Sequence, residues 1–141
     1  MAESFLGAEH SDVAKLLIRL QHELYVAQAE LATPPDGKPP AHRIGARHVS
    51  RLETEIDQYS ATLEPLHAFV LPRGRSGGAA LHVARTVARR AERELWTLNR
   101  AAPVSEDLLK WLNRLSDLLF ALALSVNRSD GFRELAPDYT V

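Results

Sequence analysis

No cysteine occurs in the 141 residues of this chain. There is therefore no disulfide framework, no thiolate metal site and no cysteine nucleophile. That absence fits a reducing compartment, and a cytoplasmic location is expected. No apolar run approaches the roughly 18 residues of a membrane span. The first ten residues, MAESFLGAEH, have no basic segment leading into an apolar one, so they do not read as a secretory signal. Net charge is nearly absent too: 17 Lys+Arg against 18 Asp+Glu leave −1. Nucleic acid as the main partner calls for a strongly basic domain, so neither it nor a membrane is expected. Histidine ligand motifs are also missing. The histidines at 10, 22, 42, 48, 67 and 82 show no HxxxH or HExxH spacing, and no resident metal is expected.

What is present is helical periodicity in a chain of single-domain length, so residues 1–141 are read as one unit. Ser11 is a candidate N-cap for a helix over 12–32, with Val13, Leu16, Leu17, Leu20, Leu24, Ala27 and Leu31 on its apolar stripe. The proline-rich 33–40 segment, TPPDGKPP, ends it. A second helix is expected over about 44–63, with Ile44, Val49, Leu52, Ile56 and Tyr59 inward. Residues 64–78 read as an extended surface crossover, because Ala68–Leu71 is too short and isolated to found a sheet. A third helix is predicted over 76–100, burying Ala80, Ala84, Val87, Ala91, Leu95 and Leu98. The fourth starts after Ser105, carries Glu106 and Asp107 in its first turn, and buries Leu108, Leu112, Leu115, Leu119, Leu122 and Val126 as far as about Asn127. Residues 2–9 are weakly patterned, and 128–141 read as a loose tail. Four long helices with short connections imply an all-α, up-and-down bundle. Trp96 and Trp111 are expected to pack, and Tyr25 is a candidate for contact with a neighbouring subunit.

Two stretches carry the chemistry. HVARTVARRAERE, residues 82–94, places Arg85, Arg89 and Arg93 at successive i, i+4 positions, with Arg90 beside them. Like charges so spaced cost a helix about 0.2–0.5 kcal/mol per pair, which Glu92 and Glu94 offset if they pair with Arg89 and Arg90. A row of guanidinium forks suits a polyphosphate or carboxylate. It equally describes a solvated, salt-bridged face, and spacing alone leaves both readings open. Gly74, Gly77 and Gly78 just before this helix offer backbone N–H groups to an anion, or simply a flexible loop. The other stretch, WLNRLSDLLF at 111–120, brings Asn113 and Asp117 together at i, i+4. That pair can contact a nucleotide, or Asp117 can neutralise an arginine across the bundle.

In order along the chain, LQHELYVAQAELATP (20–34), LE (52–53), ID (56–57), FVLP (69–72), HVARTVARRAER (82–93) and NRLSDLLF (113–120) resemble the PduO-type ATP:cob(I)alamin adenosyltransferases over about residues 3–127. The resemblance implies a five-helix bundle that trimerises, with four of the long helices present here. It implies a corrinoid adenosyltransferase that passes the 5′-deoxyadenosyl group of ATP to the cobalt of reduced cobalamin and releases triphosphate. ATP, Mg²⁺ and cobalamin are the implied cofactors and substrates. A flavoprotein reductase and an adenosylcobalamin-dependent enzyme are the implied partners beyond the homotrimer. By position, Arg89, Arg90, Glu92, Arg93 and Asn113 are implied to bind ATP. Phe69 and Asp117 are implied on the corrinoid side, Phe69 by crowding its lower face and Asp117 by fixing the arginines. Arg85 is implied at the subunit interface, paired with an aspartate of the neighbouring subunit. No protein side chain is the implied nucleophile, because the cobalt takes that role.

The chain departs from the family pattern at two places. The Thr/Gly/Asp-rich phosphate loop and the Asp-Glu-Leu-Asn block of a first helix have no counterpart ahead of Glu3, and Arg73 stands where a small residue is usual. Two alternatives to the enzyme are a corrinoid-binding bundle without catalysis and a helical interaction module whose arginines are surface charge.

Overall fold

The computed structural model describes residues 2–34 and 36–141; Pro35, part of the predicted 33–40 loop, lies outside them. Four α-helices account for the fold: α1 (Ser11–Leu31), α2 (Ala46–Ser60), α3 (Ser76–Ala101) and α4 (Glu106–Ser129). No strand occurs among the described residues. The all-α bundle is the architecture the apolar periodicity implies.

α4 is the central helix, with α3 packed along one side and α2 along another. Its leucines recur on several faces, and Leu108, Trp111, Leu115, Leu118, Leu119, Leu122 and Val126 are all buried. A helix apolar nearly all round belongs in the middle of a bundle. Its start is as predicted: the Ser105 hydroxyl accepts from the Leu108 N–H at 3.2 Å, with Glu106 and Asp107 in the first turn.

Other boundaries shift for identifiable reasons. Residues 2–9, weakly patterned in the sequence, are ordered as turns. They form short 3-10 turns at Ala2–Phe5 and, together with His10, at Ala8–His10. The second turn runs directly into α1, so Ser11 is the first helical residue instead of its cap. His10 is buried and its Nε2 lies 2.7 Å from Asp130 Oδ1, which ties this turn to the far end of α4. α2 begins at Ala46 because His48 turns back to cap it, its Nδ1 accepting the Gly45 N–H at 3.0 Å. Ile44 stays buried just ahead of that cap, its N–H donating to Glu30 at 3.2 Å.

The predicted face of α3 is the main correction. Leu95 is buried as expected, but Val87 and Leu98 are 49% and 43% exposed, and Ala91 is exposed. The side turned to α4 carries Gly77, Gly78, Leu81, His82 and Ala88. Ala80, Ala84, Val87 and Ala91 instead line an open apolar groove of about 740 Å³, walled opposite by Leu17, Leu20 and Leu24 of α1. Phe5 and Ala2 of the first turn sit against this groove.

α1 is joined to α2 and α4 by a polar chain. The buried Trp111 donates its Nε1–H to Glu23 Oε2 at 2.9 Å. Arg19 donates to Glu23 Oε1 at 3.1 Å and to Glu55 Oε2 at 2.5 Å. Arg51 stands 3.4 Å from the other oxygen of Glu55. Three helices meet through these five side chains.

The crossover between α2 and α3 is irregular, as expected. Part of the 128–141 stretch lies along it. The Leu71 N–H donates to the Leu135 carbonyl at 2.8 Å, and Arg73 lies over the Phe132 ring. Fully buried Asn127 holds this corner, donating to the Arg73 carbonyl and to Glu134 at 2.9 Å each. Its Oδ1 is so close to α3 that a Cβ on Gly78 would stand 1.9 Å from it. Gly78→Ala gains up to ~1 kcal/mol of helix propensity, but the amide is fixed by two bonds and cannot yield. A net loss of about 1–2 kcal/mol is expected, read as a lower urea midpoint.

Candidate anion-binding site and its neighbours

The side of α3 that borders α4 and the adjoining solvent-facing strip carry the arginine row. Arg85, Thr86, Val87, Arg89, Arg90 and Arg93 line a cavity of about 260 Å³. No carboxylate among the described residues lines it. The expected Arg89–Glu92 and Arg90–Glu94 ion pairs do not form among the described residues. Glu92 turns the other way and accepts from Asn113 Nδ2 at 2.8 Å, joining α3 to α4. Arg93 makes only a long 3.4 Å contact to the Arg89 carbonyl on its own helix. Four cations thus share one concavity with no acidic partner among the described residues. Such a site attracts a multiply charged anion, since each fork can take two oxygens at charge-assisted strength.

Arg85 is the most enclosed of the four. Its Cζ lies 5.2 Å from the centre of the Phe120 ring, a cation–π contact from α3 to α4. Its Nε is buried without a partner. Burial, and then the Arg89 charge, lower its pKa from the usual arginine value.

On α4, Asn113 is engaged at both ends of its amide. It donates to Glu92 and accepts from Arg114 Nη2 at 2.7 Å. Asp117 stands 3.2 Å from Arg114 on the same helix, so it does not neutralise an arginine across the bundle. Asp117 is 44% exposed and leaves the cavity's charge uncompensated. Phe69 is 81% exposed on the crossover and is not part of the cavity lining. Two glycines of the junction, Gly77 and Gly78, are buried. Gly77 abuts Leu6, and Gly78 abuts Asn127. Those glycines serve close packing.

Sequence spacing did not single out Thr86, or the pairing of Phe120 with His82. The ring of His82 lies 6.2 Å from that of Phe120, tilted by 53°. His82 is 2% exposed, and neither ring nitrogen has a hydrogen-bond partner among the described residues. Burial, followed by the Arg85 charge, pushes its pKa below the usual 6.5. The unfolded chain therefore takes up a proton that the folded chain refuses between its own lowered value and 6.5. Stability rises with pH across that window and is lost as pH falls through it. A lower urea midpoint at pH 5 than at pH 8 is expected, with the His82 share of that slope removed in His82→Phe.

Comparison with known proteins identifies relatives over most of the chain. A sequence profile of the family described as cobalamin adenosyltransferase matches residues 1–126. The chain is similar to the corrinoid adenosyltransferase of Mycobacterium tuberculosis (strain ATCC 25618 / H37Rv), at 44% identity over 126 residues covering 86% of this chain and 65% of that protein. It is similar to the Bacillus subtilis (strain 168) corrinoid adenosyltransferase at 39% identity over 124 residues, covering 88% of this chain and 63% of that one. The chain thus spans just under two thirds of the length of these curated relatives. Among solved structures it resembles a variant of the PduO-type ATP:corrinoid adenosyltransferase from Lactobacillus reuteri complexed with cobalamin and ATP. There the TM-score is 0.91 at 30% identity, over 98% of this chain and 75% of that one. By its sequence over residues 1–126 and by its fold, this chain belongs to the cobalamin adenosyltransferase family.

Proposed function

We propose that this chain works as an ATP:corrinoid adenosyltransferase, with the arginine cavity of α3 holding the triphosphate of ATP. The observation that carries this reading is the cavity itself, lined by four arginines that make no ion pair among the described residues. In the transfer, the cobalt of a cob(I) corrinoid attacks C5′ of ATP. A cobalt–carbon bond forms, the C5′–O bond breaks, and its electron pair leaves on triphosphate. The leaving group gains charge as that bond breaks, so fixed cations around it stabilise the transition state more than the ground state. Arg89, Arg90 and Arg93 take the phosphate oxygens. Glu92, held by Asn113, keeps α3 and α4 in register. The lining has no carboxylate, so Mg²⁺ enters as the nucleotide's own counter-ion, bound by phosphate and water.

Phe69 is proposed on the corrinoid side, where an exposed aromatic can exclude an axial base. A spacing supports both assignments. The phenylalanine and the arginine altered in the Lactobacillus reuteri variants are separated by the same number of positions as Phe69 and Arg89 here. Asp117 is proposed to turn from Arg114 toward the corrinoid or the arginines when the site fills. Arg85 is proposed to meet a neighbouring subunit of a homotrimer, and Ile18 and Tyr25, 48% and 78% exposed on α1, supply apolar surface for it. Light scattering is expected to give three times the chain mass.

The test is a turnover assay. Purified protein with MgATP and chemically reduced cobalamin, kept anaerobic, is expected to give the adenosylcobalamin spectrum with an equal amount of triphosphate. Cobalamin binding with no cobalt–carbon product would leave only a corrinoid-binding role.

A further inference from the structure

Two residues of α3, His82 and Arg85, flank one ring of α4, Phe120. Arg85 lies over the ring at 5.2 Å, and the imidazole leans against it at 6.2 Å between centres. The imidazole carries a donor and an acceptor, yet its nitrogens meet no partner among the described residues in a setting that is 2% exposed. An unpaired buried polar group costs roughly 1–3 kcal/mol. An apolar side chain would fill the space without that cost, so the position has a use for a ring that can change charge.

We propose that His82 is a positioning residue for the arginine cavity, its neutral ring wedging Phe120 in the orientation on which Arg85 rests. Arg85 is the charged group that acts on His82; what α4 places against it is the uncharged Phe120 ring. When His82 takes a proton, two cations one turn apart on α3 crowd one aromatic ring, and Arg85 is released from it. The lowered pKa is consistent with a ring kept neutral under ordinary conditions. Arg85 borders the cavity, so the wedge sets one wall of the anion site. That consequence for binding rests on the function proposed above, whereas the wedge itself does not.

The Arg85 side-chain resonances test it, because a group held over a ring is shifted upfield by the ring current. In the full chain at neutral pH the shift is expected in wild type and in His82→Phe, which keeps the wedge, and it is expected to be lost in His82→Gln. On acidification it is expected to disappear from wild type and persist in His82→Phe. Inorganic tripolyphosphate is expected to bind His82→Gln about three- to tenfold more weakly than wild type at neutral pH, the worth of one such contact. His82→Phe should bind as wild type does, and should lack the part of the acid loss that is not the phosphate's own titration. An Arg85 shift that ignores both residue 82 and pH would overturn the proposal. If wild type fails to bind tripolyphosphate, the function reading falls while the resonance series still decides the wedge. If His82→Gln does not fold by circular dichroism, the acid titrations of wild type and His82→Phe decide it alone.

Discussion

Arg89→Ala is expected to lower kcat/KM for ATP by about 10²-fold while leaving the melting temperature within a degree or two. Arg89 is exposed and makes no ion pair among the described residues, so the free fold depends little on it. Its worth appears only when a polyanion fills the cavity. A hydrogen bond to a charged group contributes about 1.5–3 kcal/mol, and 1.4 kcal/mol is a factor of ten. Arg89→Lys keeps the charge but loses the fork, and should recover only part of the activity. Because the leaving triphosphate is more charged than the bound ATP, the loss should fall on kcat as well as KM. Steady-state kinetics of adenosylcobalamin formation with a melting curve for each variant check this. A melting temperature that drops in step with activity would show that Arg89 serves the fold.

Trp111→Ala is expected to be the most destabilising single change in the chain, costing about 3–5 kcal/mol. The indole is fully buried between α4 and its neighbours, so alanine leaves a large void. It also removes the donor that Glu23 accepts at 2.9 Å, leaving a 7% exposed carboxylate with Arg19 as its remaining partner. A buried acceptor oxygen left without its donor adds to the cavity cost. In a domain of this size the melting temperature should fall by roughly 10 °C or more. Trp111→Phe retains most of the volume and loses the hydrogen bond, so the difference between the two separates packing from the polar chain. Equal losses in both would place the whole effect on Glu23.

Much of this fold is legible in the sequence. Leucine and alanine spacing predicts each helix, and the Ser105 cap, the proline-rich stop after α1 and the crossover follow from side-chain chemistry that acts within a few residues. What spacing does not convey is which apolar face a neighbour covers. On α3 the Ala80, Ala84, Val87 and Ala91 stripe is as apolar as a core stripe, yet it fronts an open groove, while glycines and a histidine face α4. Small residues carry little hydrophobic signal, and their use emerges only when Asn127 and Leu6 are seen against them. The same holds for Glu23, whose burial depends on Trp111 eighty-eight positions away.

The candidate site shows a similar division. Local spacing brought Arg85, Arg89, Arg90 and Arg93 together, and the cavity contains all four. Spacing also offered Glu92 and Glu94 as their partners, and this was the wrong pairing. Glu92 has a better-placed donor on α4 in Asn113, and a cross-helix contact outweighs a surface pair worth a few tenths of a kcal/mol. Asp117 likewise takes the nearer Arg114. Both choices leave the row more electropositive than the sequence implied.

The central claim is that the arginine row of α3 grips the triphosphate of ATP. It is tested most directly by following arginine Nε–H resonances while MgATP is titrated into the purified chain. The resonances of Arg89, Arg90 and Arg93 are expected to move together and saturate, with inorganic tripolyphosphate moving the same set. If ATP binds while those three stay fixed, or moves Arg47 and Arg51 on α2 instead, the nucleotide's phosphates lie elsewhere and the account is contradicted.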